Sequence, residues 1–119
     1  MTRFIISLHA SPWSHQSVLT AVQFAQAAIK RGNQVKAIFL YQDAVLNASP
    51  SLDISSDELN GQTHLLQLHE QHGVPLMLCV TAAEKRGLVA DNIKAGFRLA
   101  GLAELAELST ETDKLVQFK

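Results

Sequence analysis

The sequence predicts an α/β protein, a three-layer α/β/α sandwich built on a mainly parallel sheet of four to five strands. Two observations carry that expectation. Short β-rich runs alternate with stretches of helical period, the order that βαβ units produce. One of the runs, Leu76-Met77-Leu78-Cys79-Val80, is apolar at every position, as expected of a strand whose two faces are both covered by helices. Composition allows it: the chain has 119 residues, 47% apolar and 18% charged, enough to bury a core without disulfides or metals and unlike a disordered segment. Residues 1–119 read as one domain, with no internal repeat or linker.

Arg3 to His9 is the first strand, and the turn-prone Ser11-Pro12-Trp13-Ser14 leads into a helix. In that helix Val18, Val22, Ala25 and Ile29 form one stripe, and Lys30-Arg31-Gly32 supplies the C-terminal signal. Val35 to Tyr41 is the second strand. Gln42 to Ser55, rich in Asn, Asp, Ser and Pro, reads as a long loop, which is either a surface excursion or a cover for a site. Ser55-Ser56-Asp57-Glu58 offers a capping box for a helix carrying Leu59, Leu65, Leu66 and Leu68 and ending at His72-Gly73. After the apolar third strand, Thr81-Ala82-Ala83-Glu84 is a second capping box for a short helix ending near Gly87. Leu99 to Leu108 has amphipathic period, Leu115 to Phe118 is a terminal strand, and Gly96 to Leu99 could supply the fifth.

The charge balance removes whole classes of function. A formal net charge of −1 with five histidines leaves no basic footprint for nucleic acid and no acidic tail. The apolar runs fall far short of the ~20 residues of a membrane helix, and the start of the chain lacks a signal-peptide pattern, so a cytoplasmic location is expected. One cysteine rules out an internal disulfide and a C-x-x-C redox pair, so any redox work needs a partner's sulfur.

Cys79 is the candidate reactive residue. It stands at the carboxyl end of the third strand, where open parallel sheets gather ligands. With Thr81 as helix cap, its sulfur would lie near unpaired amides that favour thiolate; Lys85 and Arg86 would add to that field and Glu84 would oppose it. The plainer alternative is a buried cysteine acting as a small hydrophobe. The first loop, His9-Ala10-Ser11-Pro12-Trp13-Ser14-His15-Gln16, contains neither a dinucleotide fingerprint nor a P-loop lysine; Ser14 as cap with His15 nearby could hold an anion. His64, His69 and His72 lie on one helix, but no thiolate or carboxylate set completes a zinc site, and His72 is read as a last-turn residue suited to the helix dipole. No cofactor site is read from the sequence. His9 or His15 could approach Cys79 if neighbouring strand ends converge.

Several segments together resemble the DsrE family, in its TusD-like branch: F-A-Q-A at 24–27, F-L-Y-Q-D-A-V-L-N-A at 39–48, H-G-V-P-L-M-L-C-V-T-A-A-E-K-R-G at 72–87, and A-G-L-A-E-L-A-E-L-S at 100–109 followed by D-K-L-V-Q-F. The resemblance covers nearly the whole chain and aligns Cys79 with the family's active cysteine. It implies a DsrE-like fold and a sulfurtransferase whose catalytic residue, Cys79, accepts sulfane sulfur as a persulfide and passes it on toward tRNA 2-thiouridine. It also implies TusB-like and TusC-like subunits, a TusA-like donor and a TusE-like acceptor, or a homo-oligomer, with no direct contact to nucleic acid or membrane. Dissimilatory sulfur oxidation and a non-catalytic scaffold subunit are the alternatives. Ser11-Pro12-Trp13-Ser14 departs from the glycine and tyrosine that relatives often carry in the first loop.

Overall fold

The structure, a computed structural model, describes residues 1–52 and 60–119, with backbone alone at His15. Five strands form its centre: β1 Arg3–Leu8, β2 Gln34–Leu40, β3 Leu76–Cys79, β4 Phe97–Ala100 and β5 Lys114–Phe118. They pair in parallel in the order β4-β3-β2-β1-β5. Alternation along each strand splits the interior into two clusters of different size.

Ile6, Leu8, Ile38, Leu40, Leu76 and Leu78 point to one face. There they meet α1 (His15–Lys30) and α2 (Gly61–His72) through Val18, Val22, Leu65 and Leu68, all at most 1% exposed. Full burial of a leucine or isoleucine contributes roughly 1.5–3 kcal/mol, so this larger cluster carries most of the stability. The opposite face holds Ala37, Phe39, Met77, Cys79 and Ala100, with Tyr41, Leu105 and Leu108 packed against them. Those leucines come from α4 (Leu102–Ser109), which links β4 at one edge of the sheet to β5 at the other. Between β3 and β4, α3 (Val80–Lys85) rises directly from the end of β3.

Three expectations need correcting. Gln42–Ala48 is a 3₁₀ helix rather than part of a long loop, and it buries Ala44, Val45, Asn47 and Ala48. Leu99 belongs to β4, and the amphipathic helix begins only at Leu102: Gly96, at φ 104°, turns the chain into the strand, and Gly101 caps the helix. Val80 starts α3 instead of ending β3. The described part of the second long helix starts at Gly61, where the Asn60 side chain accepts from the Thr63 amide at 3.2 Å. The capping box expected at Ser55–Glu58 lies outside the described residues. At its far end α2 stops as expected, on Gly73 in the left-handed region at φ 69°.

Candidate active site

Strand register determines what surrounds Cys79. Leu8 pairs with Leu40, Leu40 with Leu78, and Cys79 with Ala100. One residue beyond those first two pairs, at the carboxyl ends of β1, β2 and β3, His9, Tyr41 and Cys79 form a row across the sheet. The cysteine is 6% exposed and lies among Ala37, Phe39, Met77 and Ala100, so its immediate setting is apolar.

The helix start contributes less to Cys79 than the sequence suggested. Cys79 itself, not Thr81, is the residue preceding the helix, and its side chain makes no capping hydrogen bond. With only six residues, α3 also offers a small dipole. Arg86 is engaged elsewhere: its guanidinium donates to Asp43 Oδ1 at 3.0 Å and to the Ala82 carbonyl at 3.0 Å. This ion pair ties the 3₁₀ helix to the end of α3.

Tyr41 is the neighbour that the sequence reading missed. Its ring lies 4.9 Å from that of Phe39 and stacks on the His9 imidazole at 5.3 Å and 17°. Burial, and next the negative charge of the Cys79 thiolate, hold its phenol above the usual value of 10.0. The sequence carried one available signal, the chain's single tyrosine at the carboxyl end of the expected second strand; which strand lies beside it was not legible.

His9 lies two strands from Cys79, about 10 Å at ordinary strand spacing, with Tyr41 between them. It therefore does not meet the thiol as the sequence reading allowed. Its Nε2 stands 2.9 Å from the Gln117 side-chain amide and 3.0 Å from Ser7 Oγ, while its Nδ1 is 3.3 Å from Gln42 Oε1. Gln42 adopts φ 49°, the left-handed region that non-glycine residues rarely enter.

Of the other candidates, Ser14 precedes α1 but its side chain makes no capping bond and meets Ser11 Oγ at 3.4 Å. With Ser11, His9, Gln42 and Gln117 it lines a cleft of about 460 Å³ at the carboxyl edge of the sheet. A larger cleft of about 540 Å³, lined by His72, Pro75 and Gln34 among others, opens at the opposite ends of the strands, away from the cysteine. His69 is used structurally, its Nδ1 meeting the Val74 carbonyl at 2.8 Å, and among the described residues no three His, Cys, Asp or Glu side chains converge as metal ligands.

Comparison with known proteins agrees with this geometry. The DsrE/DsrF-like family model matches residues 2–118. Sulfurtransferase TusD of Erwinia tasmaniensis is 38% identical over 127 aligned residues, covering 98% of this chain and 99% of that protein. The crystal structure of the ychN protein from E. coli superposes with a TM-score of 0.84 at 24% identity, covering 99% of this chain and 100% of that one. A protein of unknown function from Methanobacterium thermoautotrophicum shares the fold at a TM-score of 0.73 and 16% identity, over 98% of this chain and 99% of its own.

Proposed function

This chain belongs to the DsrE/DsrF-like family, and from that membership and the setting of Cys79 we propose that it is a sulfurtransferase carrying sulfane sulfur as a persulfide on Cys79. The observation that carries the reading is that the chain's one cysteine ends β3 at the carboxyl edge of a parallel sheet, within full-length similarity to a sulfurtransferase.

The chemistry needs one thiol. The Cys79 thiolate attacks the outer sulfur of a donor persulfide; a new S–S bond forms on Cys79 while the donor's S–S bond breaks, and the donor departs as a thiolate. An acceptor thiolate then takes the outer sulfur in the same way and restores the Cys79 thiolate. Neither transfer consumes an external oxidant or reductant. The apolar walls around Cys79 suit the carrier state, because they keep water and small thiols from the terminal sulfur.

We assign the relay to the path toward tRNA 2-thiouridine, with TusB-like and TusC-like partner subunits, a TusA-like donor and a TusE-like acceptor. Supporting a partner-covered face, no residue of α4 is fully buried and Leu102 is 58% exposed. A cytoplasmic setting, where free thiols persist, suits this role. Among the described residues no helix is long and apolar enough to cross a membrane.

Intact-protein mass spectrometry after incubation with a cysteine desulfurase, cysteine and a TusA-like carrier tests the proposal. Wild type should gain one sulfur, about 32 Da, and Cys79→Ser should not. The burial of Cys79 favours a second reading, a scaffold subunit with a core cysteine. A charged donor that leaves wild type unmodified would select it.

A further inference from the structure

In the row His9–Tyr41–Cys79, the residue most firmly held is the one farthest from the thiol. The Gln117 side-chain nitrogen can only donate, so at 2.9 Å it makes His9 Nε2 an acceptor. The Ser7 hydroxyl, of a residue 5% exposed, flanks at 3.0 Å the same nitrogen, whose one lone pair is taken by Gln117. The proton then resides on Nδ1 and is donated to Gln42 Oε1. Gln117 of β5 and Gln42, the first residue of the 3₁₀ helix, thus fix one tautomer and one ring plane, with Ser7 of β1 beside the Nε2 edge. Against that plane the Tyr41 ring is stacked at 17°, and Phe39 closes on it at 4.9 Å. Gln42 reaches His9 from a backbone at φ 49°; non-glycine strain of this kind persists where surrounding structure enforces it, and it is concentrated at functional sites.

We propose that His9 is a positioning residue for the sulfur relay: locked by Ser7, Gln42 and Gln117, its imidazole holds the Tyr41 ring beside Cys79 and so sets how readily an incoming sulfur reaches the thiol. This rests on the persulfide-carrier reading for its purpose, but the positioning itself is measurable without any sulfur transfer. The cleft of about 460 Å³ lined by His9, Gln42 and Gln117 opens at the His9 end of the row and is lined by neither Tyr41 nor Cys79, so along the row His9 and Tyr41 separate it from the thiol.

The test compares wild type with His9→Ala, His9→Gln and His9→Phe. Two readouts are used, the rate at which iodoacetamide alkylates Cys79 and the NMR signals of the Tyr41 ring in protein with labelled tyrosine. The chain has one cysteine and one tyrosine, so each readout reports a single site. His9→Ala and His9→Gln lose the stack and should alkylate about threefold faster or more, the factor that one aromatic stack supports, with the Tyr41 signals shifted. His9→Phe restores a ring and should return both readouts toward wild type even though its polar partners are lost. Rates that follow the melting temperatures of the variants, or unchanged Tyr41 signals in His9→Ala, would overturn the positioning role. The sulfur mass gain on wild type, measured separately, reports on the relay itself, so either idea can fail without the other.

Discussion

Ile38 and Phe39 are adjacent on β2, both 0% exposed, yet they point into different clusters: Ile38 faces α1 and α2, and Phe39 lies in the small cluster with Cys79. Substituting each mildly separates local from global exposure of the thiol. Ile38→Val removes one methylene and costs about 0.5–1.5 kcal/mol; Phe39→Leu leaves part of a ring volume empty and costs about 1–2 kcal/mol. For a chain of this size either loss lowers the melting temperature by roughly 2–8 °C, and circular dichroism should find both variants weakened within that range. If reagents reached Cys79 only through global unfolding, each kcal/mol would speed alkylation about fivefold in both proteins. The structure predicts otherwise. Phe39→Leu loosens the support of Tyr41 and the wall around the sulfur, and should alkylate several-fold faster. Ile38→Val should stay within about twofold of wild type, because the sheet's other face is not the route to Cys79. Equal acceleration in the two variants, in proportion to lost stability, would refute the division of the interior into a stabilising core and a thiol-holding core.

Two further outcomes follow from the same geometry. Cys79→Ser removes the thiolate charge that helps hold the Tyr41 phenol above 10.0, so phenolate absorbance should titrate at lower pH than in wild type. Burial is the larger cause and remains, so the midpoint should stay above the ordinary value, and an unchanged midpoint would show that the two side chains do not sense one another. Gly61, the first residue of α2, would place a Cβ 2.5 Å from Val18 Cγ1. Gly61→Ala should therefore cost about 1–3 kcal/mol in chemical denaturation, and in a double-mutant cycle with Val18→Ala the combined cost should fall below the sum of the two.

What the sequence revealed and what it concealed have physical causes. The all-apolar run at Leu76 to Cys79 showed a strand covered on both faces, and the stripe of Val18, Val22, Ala25 and Ile29 showed α1, because each pattern extends over enough residues for its period to stand out. β4 was obscured because its four residues run into α4 across Gly101 alone, so Leu99 fits either period. The segment Gln42–Ala48 read as a loop because its Asn and Asp are turn formers. Asn47 is in fact 0% exposed, donating to the Ala10 and Ala44 carbonyls, a use of asparagine that composition cannot show. The position of Cys79 on its strand was legible; its neighbours were not. Tyr41 comes beside it, with His9 on the far side of the tyrosine, through strand order and register, which depend on long-range pairing rather than on any local pattern.

A thiol set this deep suits a carrier when its cover is weaker than its floor. The floor is the sheet, where Cys79 pairs with Ala100 and its strand pairs with β2, and whose far side is sealed by Val18 and Val22 of α1 and Leu65 and Leu68 of α2, all buried. The cover is α4, which places only the half-buried Leu105 and Leu108 on the small cluster, and the Tyr41 ring, held by His9. Elements with few buried apolar side chains open at lower free energy than the global fold. Ala37 and Ala100, the small residues beside the sulfur, add little packing of their own, so a partner that shifts α4 or the tyrosine exposes Cys79 while the larger core stays closed. Under the proposed persulfide role, burial and transfer are compatible: the apolar shell would shield the sulfur between partners, and the fold would yield on the face where the sulfur has to pass.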